Sequence, residues 1–231
     1  NNEIITADVI LSGADYHHSE TLLDEKYRQY SEKYWENKMF APSSLLFYVG
    51  FDKKIENVEH HSLFFDVDFD IHAEAIYDNP KWPEEPLFYA SFPSKTDKNL
   101  APEGYEAGIF LIPLAPALED TQELRELYFE KIITRLEQLT NQSVKNNIIF
   151  KESFCVNDFV KEYNSYKGNA YGMANTLLQT AFLRPKLKSK KVKNLYFTGQ
   201  LTVPGPGVPP SLISGKLVSE LIQKKRKKIL L

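Results

Sequence analysis

The segment from Asn194 to Leu221 carries the residue types best suited to holding a charged or flat ligand. Its pattern predicts a short apolar strand, a Gly/Pro-rich loop and a helix entered through Pro209-Pro210. The glycines at the strand end and in the loop are Gly199, Gly205 and Gly207. Glycine lets the backbone approach a ligand closely because it has no Cβ, and a helix start stabilises negative charge. The segment therefore predicts a site for a group that carries or develops negative charge, with a ligand-free connection as the alternative.

A second segment, Tyr163 to Gly172, combines glycines with aromatic side chains. Gly168 and Gly172 each lie within two positions of a tyrosine, Tyr166 or Tyr171. A tight backbone beside flat apolar surfaces suits a long unsaturated ligand. An ordinary aromatic loop is the alternative.

Acid–base and metal-binding candidates are numerous, but no spacing singles one out. Asp66, Asp68 and Asp70 alternate as residues on one face of a strand would, a pattern more typical of an acidic, solvated edge than of a cation site. The pairs His17-His18 and His60-His61 are adjacent in sequence, so the two side chains of each pair point in different directions. We therefore assign no catalytic residue and expect no metal site.

The elements that must position these residues indicate a mixed α/β fold. Apolar runs predict strands at 4–12, 43–51, 62–69, 87–92, 106–113, 148–150 and 194–199. Helical spacing predicts helices at 19–38, 121–140 and 209–225, the second opened by a capping box of Asp120 and Glu123. Because no long helix is predicted between residues 43 and 113, the strands there are expected to form a mostly antiparallel sheet.

Composition limits the class of protein further. The 231 residues include 28 Lys and Arg against 31 Asp and Glu, so the overall charge does not indicate a nucleic-acid partner. The single cysteine, Cys155, excludes a disulfide within the chain. There is no apolar run of about eighteen residues, so no membrane-spanning helix is expected. The chain begins without Met, inside a predicted strand, which favours a truncated piece of a larger protein.

Three segments carry a resemblance to a known family. The loop and helix start from Pro204 to Pro209, PGPGVP, resemble the signature P-G-x-G-[VI]-P of the bacterial-type phytoene dehydrogenases, where it follows a strand that ends in Gly. The stretch from Tyr163 to Pro185 and the strand and turn from Ala7 to His18 are similar to further parts of that family. The resemblance covers essentially the whole chain but only the later, C-terminal part of the enzyme.

The resemblance implies an FAD-dependent oxidoreductase of the amine oxidase-like superfamily. It implies FAD contacts at Gly199, Gln200, Val208 and Pro209. Gln200 stands where many relatives carry an acidic residue, so a neutral contact to the ribityl chain replaces a charged one.

The same resemblance implies a substrate channel and a division into domains. It places Tyr166, Tyr171 and Gly172 along the channel. Residues 1–15 would end an FAD domain, residues 16–185 would form the substrate domain, and residues 186–231 would return as the last strand, loop and helix of the FAD domain. The sequence contains no G-x-G-x-x-G stretch, the pattern that cradles a dinucleotide pyrophosphate. The chain is therefore expected not to retain FAD and to be inactive alone.

The implied reaction is stepwise dehydrogenation of a C30 or C40 polyene such as phytoene, with hydride transfer to flavin and reoxidation by oxygen or a quinone. Because the substrate dissolves in lipid, a cytoplasmic enzyme at the periphery of the bacterial inner membrane is expected. Apolar faces left by the two terminal strands predict dimerisation or marginal stability. Three alternatives stay open: a flavin-dependent carotenoid or retinoid isomerase or saturase, an amine oxidase-like enzyme for soluble amines, and a binding module that never meets flavin.

Overall fold

The structure is a computed structural model that describes residues 3–229, with side chains up to residue 225. The strands are β1 (Ile10–Ser12), β2 (Ser43–Phe51), β3 (His61–Phe64), β4 (Phe88–Ser91), β5 (Glu106–Leu114), β6 (Ile148–Phe154) and β7 (Leu195–Phe197). The α-helices are α1 (Tyr16–Thr21), α2 (Glu32–Glu36), α3 (Phe69–Tyr77), α4 (Gln122–Thr140), α5 (Val156–Tyr163) and α6 (Val208–Ile229). Within residues 3–229, none of these helices is long and apolar enough to cross a membrane.

The chain divides into two compact units. The first contains the described residues up to Ala41, then Val160–Tyr166, then those from Ala170 onward. The second contains Pro42–Phe159 and Lys167–Asn169. The functional division at residues 15 and 185 stays a prediction.

The second unit is built on a five-stranded antiparallel sheet in the order β3-β4-β5-β2-β6. This confirms the mixed α/β class and the antiparallel sheet predicted between residues 43 and 113. Side chains alternate between buried and half-buried along β5, as a pleated strand with one face on the core requires. Helix α4 contributes to that core, where the rings of Phe129 and Phe47 lie 4.9 Å apart.

The start of α4 corrects one sequence prediction. Thr121, not Asp120, caps the helix by accepting a hydrogen bond from the backbone N–H of Leu124 at 3.3 Å. Asp120 instead accepts two hydrogen bonds from Arg125, at 2.7 and 2.6 Å. A bidentate guanidinium is a stronger partner for a carboxylate than a single backbone N–H. The hydroxyl of the neighbouring Thr121 therefore caps the helix.

The strand predicted at 62–69 ends early. β3 stops at Phe64, and Asp68 caps α3 by accepting a hydrogen bond from the N–H of Asp70 at 2.8 Å. The three aspartates therefore do not share one face of a strand. Asp66 lies between the two elements and forms an ion pair with Arg135.

The helix predicted at 19–38 is also wrong as a single element. The buried carboxylate of Glu20 accepts hydrogen bonds from the backbone N–H groups of Gln29 at 2.7 Å and Tyr30 at 3.3 Å. Those N–H groups are thereby withdrawn from a helical ladder. A new helix, α2, starts after Ser31, whose hydroxyl accepts from the N–H of Tyr34 at 3.2 Å.

Candidate functional site

The predicted ligand segment lies in the first unit, where it follows a parallel pair of strands. β1 and β7 pair in parallel, with Ile10 opposite Leu195 and Ser12 opposite Phe197. The pairing continues one step beyond β7, because the N–H of Thr198 donates to the carbonyl of Ser12 at 3.0 Å. All three residues of β7 are buried, so the packing of this strand fixes the position at which the following loop begins.

Ser214 of α6 ties the helix back to the strand end. Its buried hydroxyl accepts a hydrogen bond from the N–H of Gly199 at 2.9 Å and donates to the carbonyl of Ser211 at 2.8 Å. It also lies 2.6 Å from the hydroxyl of Thr198. Since a serine hydroxyl has one proton, Thr198 donates in that contact.

Gly199 and Gly172 show why this backbone favours glycine. Gly199 has φ +107°, and a Cβ there would have no heavy atom within 4 Å, so the backbone borders open space. Gly172 has φ +79°, and a Cβ there would come 3.0 Å from the carbonyl oxygen of Gln200. Gln200 and Gly172, predicted as a cofactor contact and a channel residue, therefore lie against each other.

The side chain of Arg184 packs against the Gly/Pro-rich loop at Gly205. It is 1% exposed, and its guanidinium donates to the carbonyl of Met173 at 2.9 Å and the side-chain oxygen of Asn175 at 2.6 Å. A longer contact of 3.4 Å reaches the carbonyl of Gln200. These acceptors are all neutral, and Nε has no hydrogen-bond partner among the described residues. Burial lowers the pKa of Arg184 because it disfavours the charged form.

The hydroxyl of Tyr34 is a second buried polar atom without a hydrogen-bond partner in the described part of the chain. Burial raises the pKa of Tyr34 to about 12, and the nearby Arg184 charge acts in the opposite direction. The indole Nε1 of Trp35 is a third such atom among the described residues, and unsatisfied polar groups are unusual in a folded core.

The start of α6 is exposed but offers few donors. Val208 is 75% exposed, and Pro209 beside it is exposed as well. Proline has no backbone N–H, so Val208 alone carries one among the first three helical residues, 208–210. Any stabilisation of negative charge here must come mostly from the helix dipole.

Tyr166 belongs to an aromatic cluster of the first unit. Its ring lies 4.3 Å from that of His17 and 5.3 Å from that of Phe40, measured between ring centroids. In the same cluster Tyr16 stacks on Phe197 of β7 at 3.8 Å. Tyr171, by contrast, is 42% exposed. That Tyr166, Tyr171 and Gly172 line one channel stays a prediction.

Two carboxyl groups lie close to this cluster. The side chain of Asp15 accepts hydrogen bonds from the N–H groups of His18 at 3.1 Å and Tyr166 at 3.3 Å. Burial raises the pKa of Asp15, although these backbone donors partly oppose it. Burial likewise raises the pKa of Glu20. The structure gives both groups structural partners and does not single out either as a catalytic acid or base.

The paired histidines have other partners. His17 lies 2.8 Å from the carboxylate of Glu32, and His61 lies 2.6 Å from the hydroxyl of Tyr89. Across the described residues, no group of three or more His, Cys, Asp or Glu side chains could hold a metal ion.

Sequence reasoning gave no role to Arg184, Ser214 or Tyr34. Arg184 could have been noticed as a cation placed directly between Leu183 and Pro185. Ser214 lies in the second turn of α6, and nothing in the sequence pattern marks it. The absence of a hydrogen-bond partner for the hydroxyl of Tyr34 among the described residues results from packing, which the sequence pattern does not reveal.

Comparison with known proteins relates the chain to part of several larger enzymes. No protein-family model matches the chain. The carotenoid 3,4-desaturase of Haloarcula japonica is 43% identical over 216 residues, which cover 93% of this chain and 44% of the relative. The chain is homologous to part of the carotenoid desaturases.

A second relative of this desaturase homologue is the zeta-carotene-forming phytoene desaturase of Myxococcus xanthus. It is 31% identical over 223 residues, covering 94% of this chain and 42% of the relative. The chain thus spans less than half the length of these two curated relatives.

A solved structure shows the same fold at low sequence identity. An oxidoreductase from Methanosarcina mazei superposes with a TM-score of 0.59 and 13% identity, covering 96% of this chain and 44% of that protein. The fold of this desaturase homologue is therefore that of part of a larger oxidoreductase.

Proposed function

We propose that this chain works as part of an FAD-dependent carotenoid desaturase that dehydrogenates a long polyene. The observation that carries the proposal is its 43% identity, over 93% of the chain, to a carotenoid 3,4-desaturase. Because the chain spans 44% of that relative, it acts together with a nucleotide-binding half that its own sequence does not supply.

The strand–loop–helix segment fits one edge of a flavin. Gly199 borders open space where a Cβ would stand, and Gln200 follows it as a neutral partner for the ribityl hydroxyls. Val208 and Pro209 lie exposed at the positive end of the α6 dipole. Bound flavin would supply the hydride acceptor for the dehydrogenation.

Arg184 adds a reason for this assignment. Its buried guanidinium has only neutral acceptors and lies beside Gly205 of the loop. An uncompensated positive charge favours a neighbour that gains negative charge. Arg184 would therefore favour a bound group that gains negative charge, as the flavin would in this reaction.

The aromatic cluster supports an apolar substrate. Tyr166 is only partly buried against the core that holds Phe40 and Trp35, and its large flat ring suits a polyene better than a soluble amine. The residues would exclude water and hold the chain of the substrate in one orientation. We propose Tyr166, Tyr171 and Gly172 as its channel contacts.

The substrate class places the enzyme at a membrane surface. A polyene dissolves in lipid, so the protein must reach a bilayer to collect it. We propose a cytoplasmic enzyme peripheral to the bacterial inner membrane.

Dimerisation or low stability is part of the same proposal. Ile10 and Leu11 of β1 are 49% and 48% exposed, and Leu212 of α6 is 72% exposed. A parallel pair of strands is normally covered on both faces. The isolated chain should therefore elute from a sizing column as a dimer or unfold at low denaturant concentration; a monodisperse, highly stable monomer would contradict this.

The first test is the visible spectrum of the purified chain after incubation with excess FAD and removal of unbound cofactor. No retained flavin is expected, because the sequence has no G-x-G-x-x-G stretch. Retention of about one equivalent would show that the chain completes the site alone, and the dependence on a second half would be wrong.

The second test restores that half. A chimera would carry this chain in place of the matching segment of the Haloarcula japonica relative, and its bound flavin and carotenoid products would be measured. Loss of two hydrogens per new double bond is expected; a product of unchanged mass would indicate an isomerase, and a gain of hydrogens a saturase. Gly199→Val should lower bound flavin, whereas the matched control Gly104→Val, also at positive φ and in open space, should not.

A further inference from the structure

The first unit has one strongly basic surface. Six of the ten residues from Arg184 to Lys193 are Lys or Arg and none is acidic, although acidic residues outnumber basic ones in the whole chain. Lys225 of α6 donates to the carbonyl of Lys193 at 3.0 Å, so the helix adds its charge to the same surface. We call this surface the basic face; its members are Lys186, Lys188, Lys190, Lys191, Lys193 and Lys225.

The positive charge of the basic face is not neutralised within the described residues. Two of its ammonium groups donate to backbone carbonyls, Lys186 to Phe182 and Lys225 to Lys193. None of the six pairs with a carboxylate among the side chains described, up to residue 225. Lysines elsewhere in the chain do have carboxylate partners within 4 Å, among them Lys54, Lys95, Lys145 and Lys151. Like charges held together repel one another, so this arrangement favours an anionic partner.

The basic face also has an apolar element. A shallow pocket of about 330 Å³ is lined by Phe182, Leu187, Val203 and Leu221 together with the side chains of Lys186 and Lys188. Phe182 is 76% exposed. A partner for this surface must therefore accept both ammonium groups and a large apolar ring.

We propose that the basic face docks on an anionic lipid bilayer, with its lysines at the headgroup phosphates and Phe182 in the outer acyl region. A bilayer surface offers both chemistries at once, whereas a nucleic acid would satisfy the lysines and leave the apolar side chains against a charged backbone. The proposal gives a location to the membrane contact of the proposed function and rests on it. Binding to vesicles needs no flavin, however, so the two can fail separately.

The test is co-sedimentation of the full chain with phosphatidylcholine vesicles, with and without phosphatidylglycerol. Strong binding to the anionic vesicles only, weakened by added salt, is expected. The triple variant Lys190→Gln, Lys191→Gln, Lys193→Gln should bind roughly a hundredfold more weakly, since each lysine near an anionic surface contributes about fivefold. The matched control Lys33→Gln, Lys81→Gln, Lys98→Gln removes the same charge from exposed positions elsewhere and should bind like the unmodified chain.

A second variant separates insertion from charge. Phe182→Ala should weaken binding to anionic vesicles about tenfold while the dependence on salt stays the same, because the lysines are intact. Equal binding by the two triple variants, or equal binding to neutral and anionic vesicles, would overturn the proposal. So would binding of a single-stranded oligonucleotide, but not vesicles, through the same three lysines. An active chimera that fails to bind vesicles would overturn the docking surface and leave the proposed reaction standing.

Discussion

The guanidinium of Arg184 lies flat against Gly205: a Cβ at Gly205 would come within 3.2 Å of the Cζ, Nε and Nη2 atoms of Arg184. Arg184 is buried and hydrogen-bonded to Met173 and Asn175, which restrains its guanidinium. The Pro/Gly loop thus rests on a buried cation, and its shape depends on a residue 21 positions upstream, counting from 184 to 205.

Gly205→Ala should destabilise the first unit more than Gly199→Ala does. Both glycines have positive φ, +138° and +107°, so both substitutions strain the backbone by about 1 kcal/mol or more. Of the two, only the Cβ at Gly205 also meets a side chain, the hydrogen-bonded Arg184, which should add about 1–3 kcal/mol. Urea unfolding of the two variants measures the difference in their free energies of unfolding. Equal losses of stability would mean that the side chain of Arg184 shifts to accommodate the new Cβ.

The loss of stability on replacing Arg184 should increase with the number of hydrogen-bond acceptors that are left without a donor. Arg184→Met leaves the carbonyl of Met173 and the side-chain oxygen of Asn175 without a donor. Each loss should lower the free energy of unfolding by about 1–3 kcal/mol. Arg184→Lys keeps one ammonium group and should lose less. The free energy of unfolding should therefore fall in the order wild type, Lys variant, Met variant. A Met variant as stable as wild type would show that removing the buried charge compensates fully.

Ser214→Ala should loosen the strand end. The hydroxyl accepts from the N–H of Gly199, and its loss leaves that donor unpaired at about 1–2 kcal/mol. Hydrogen exchange at the amide of Gly199 should accelerate accordingly. The control is Ser219→Ala, an exposed serine on the same helix, which should change neither stability nor exchange.

Stability of the second unit should fall as pH drops from about 7 towards 5. His72 is 3% exposed, and burial lowers its pKa from the ordinary 6.5, helped by the charge of Arg135. Nδ1 accepts from the N–H of Leu87 at 2.9 Å while Nε2 donates to the carbonyl of Pro113 at 2.8 Å, so the folded state holds the neutral ring. Below about pH 6.5 the unfolded chain takes up a proton that the folded chain resists.

The measurement for His72 is urea unfolding across that pH range. One proton gives a slope of at most about 1.4 kcal/mol per pH unit. His72→Gln should be less stable at pH 7 and should lose stability less steeply on acidification than the unmodified chain. An unchanged slope in the His72 variant would assign the pH dependence to other groups.

The long, regular elements could be predicted because their patterns repeat. β2, β5 and α4 lie close to the predicted ranges, since each keeps one period over nine or more residues. Predictions failed where a single polar contact changed the course of the chain. Glu20 draws the N–H groups of Gln29 and Tyr30 out of a helix, and Asp68 starts α3 where alternation indicated a strand.

The sequence by itself determined that the segment from 194 to 225 forms a strand, a Gly/Pro loop and a helix, because glycine, proline and apolar spacing act locally. It also carried the resemblance to the carotenoid desaturases, since residue identities are enough for that. Only the tertiary structure decided that Gly172 lies against Gln200, that Arg184 contacts Gly205 and that Lys225 of α6 reaches Lys193. These relationships join residues far apart in the chain, so they depend on packing, which no local pattern encodes.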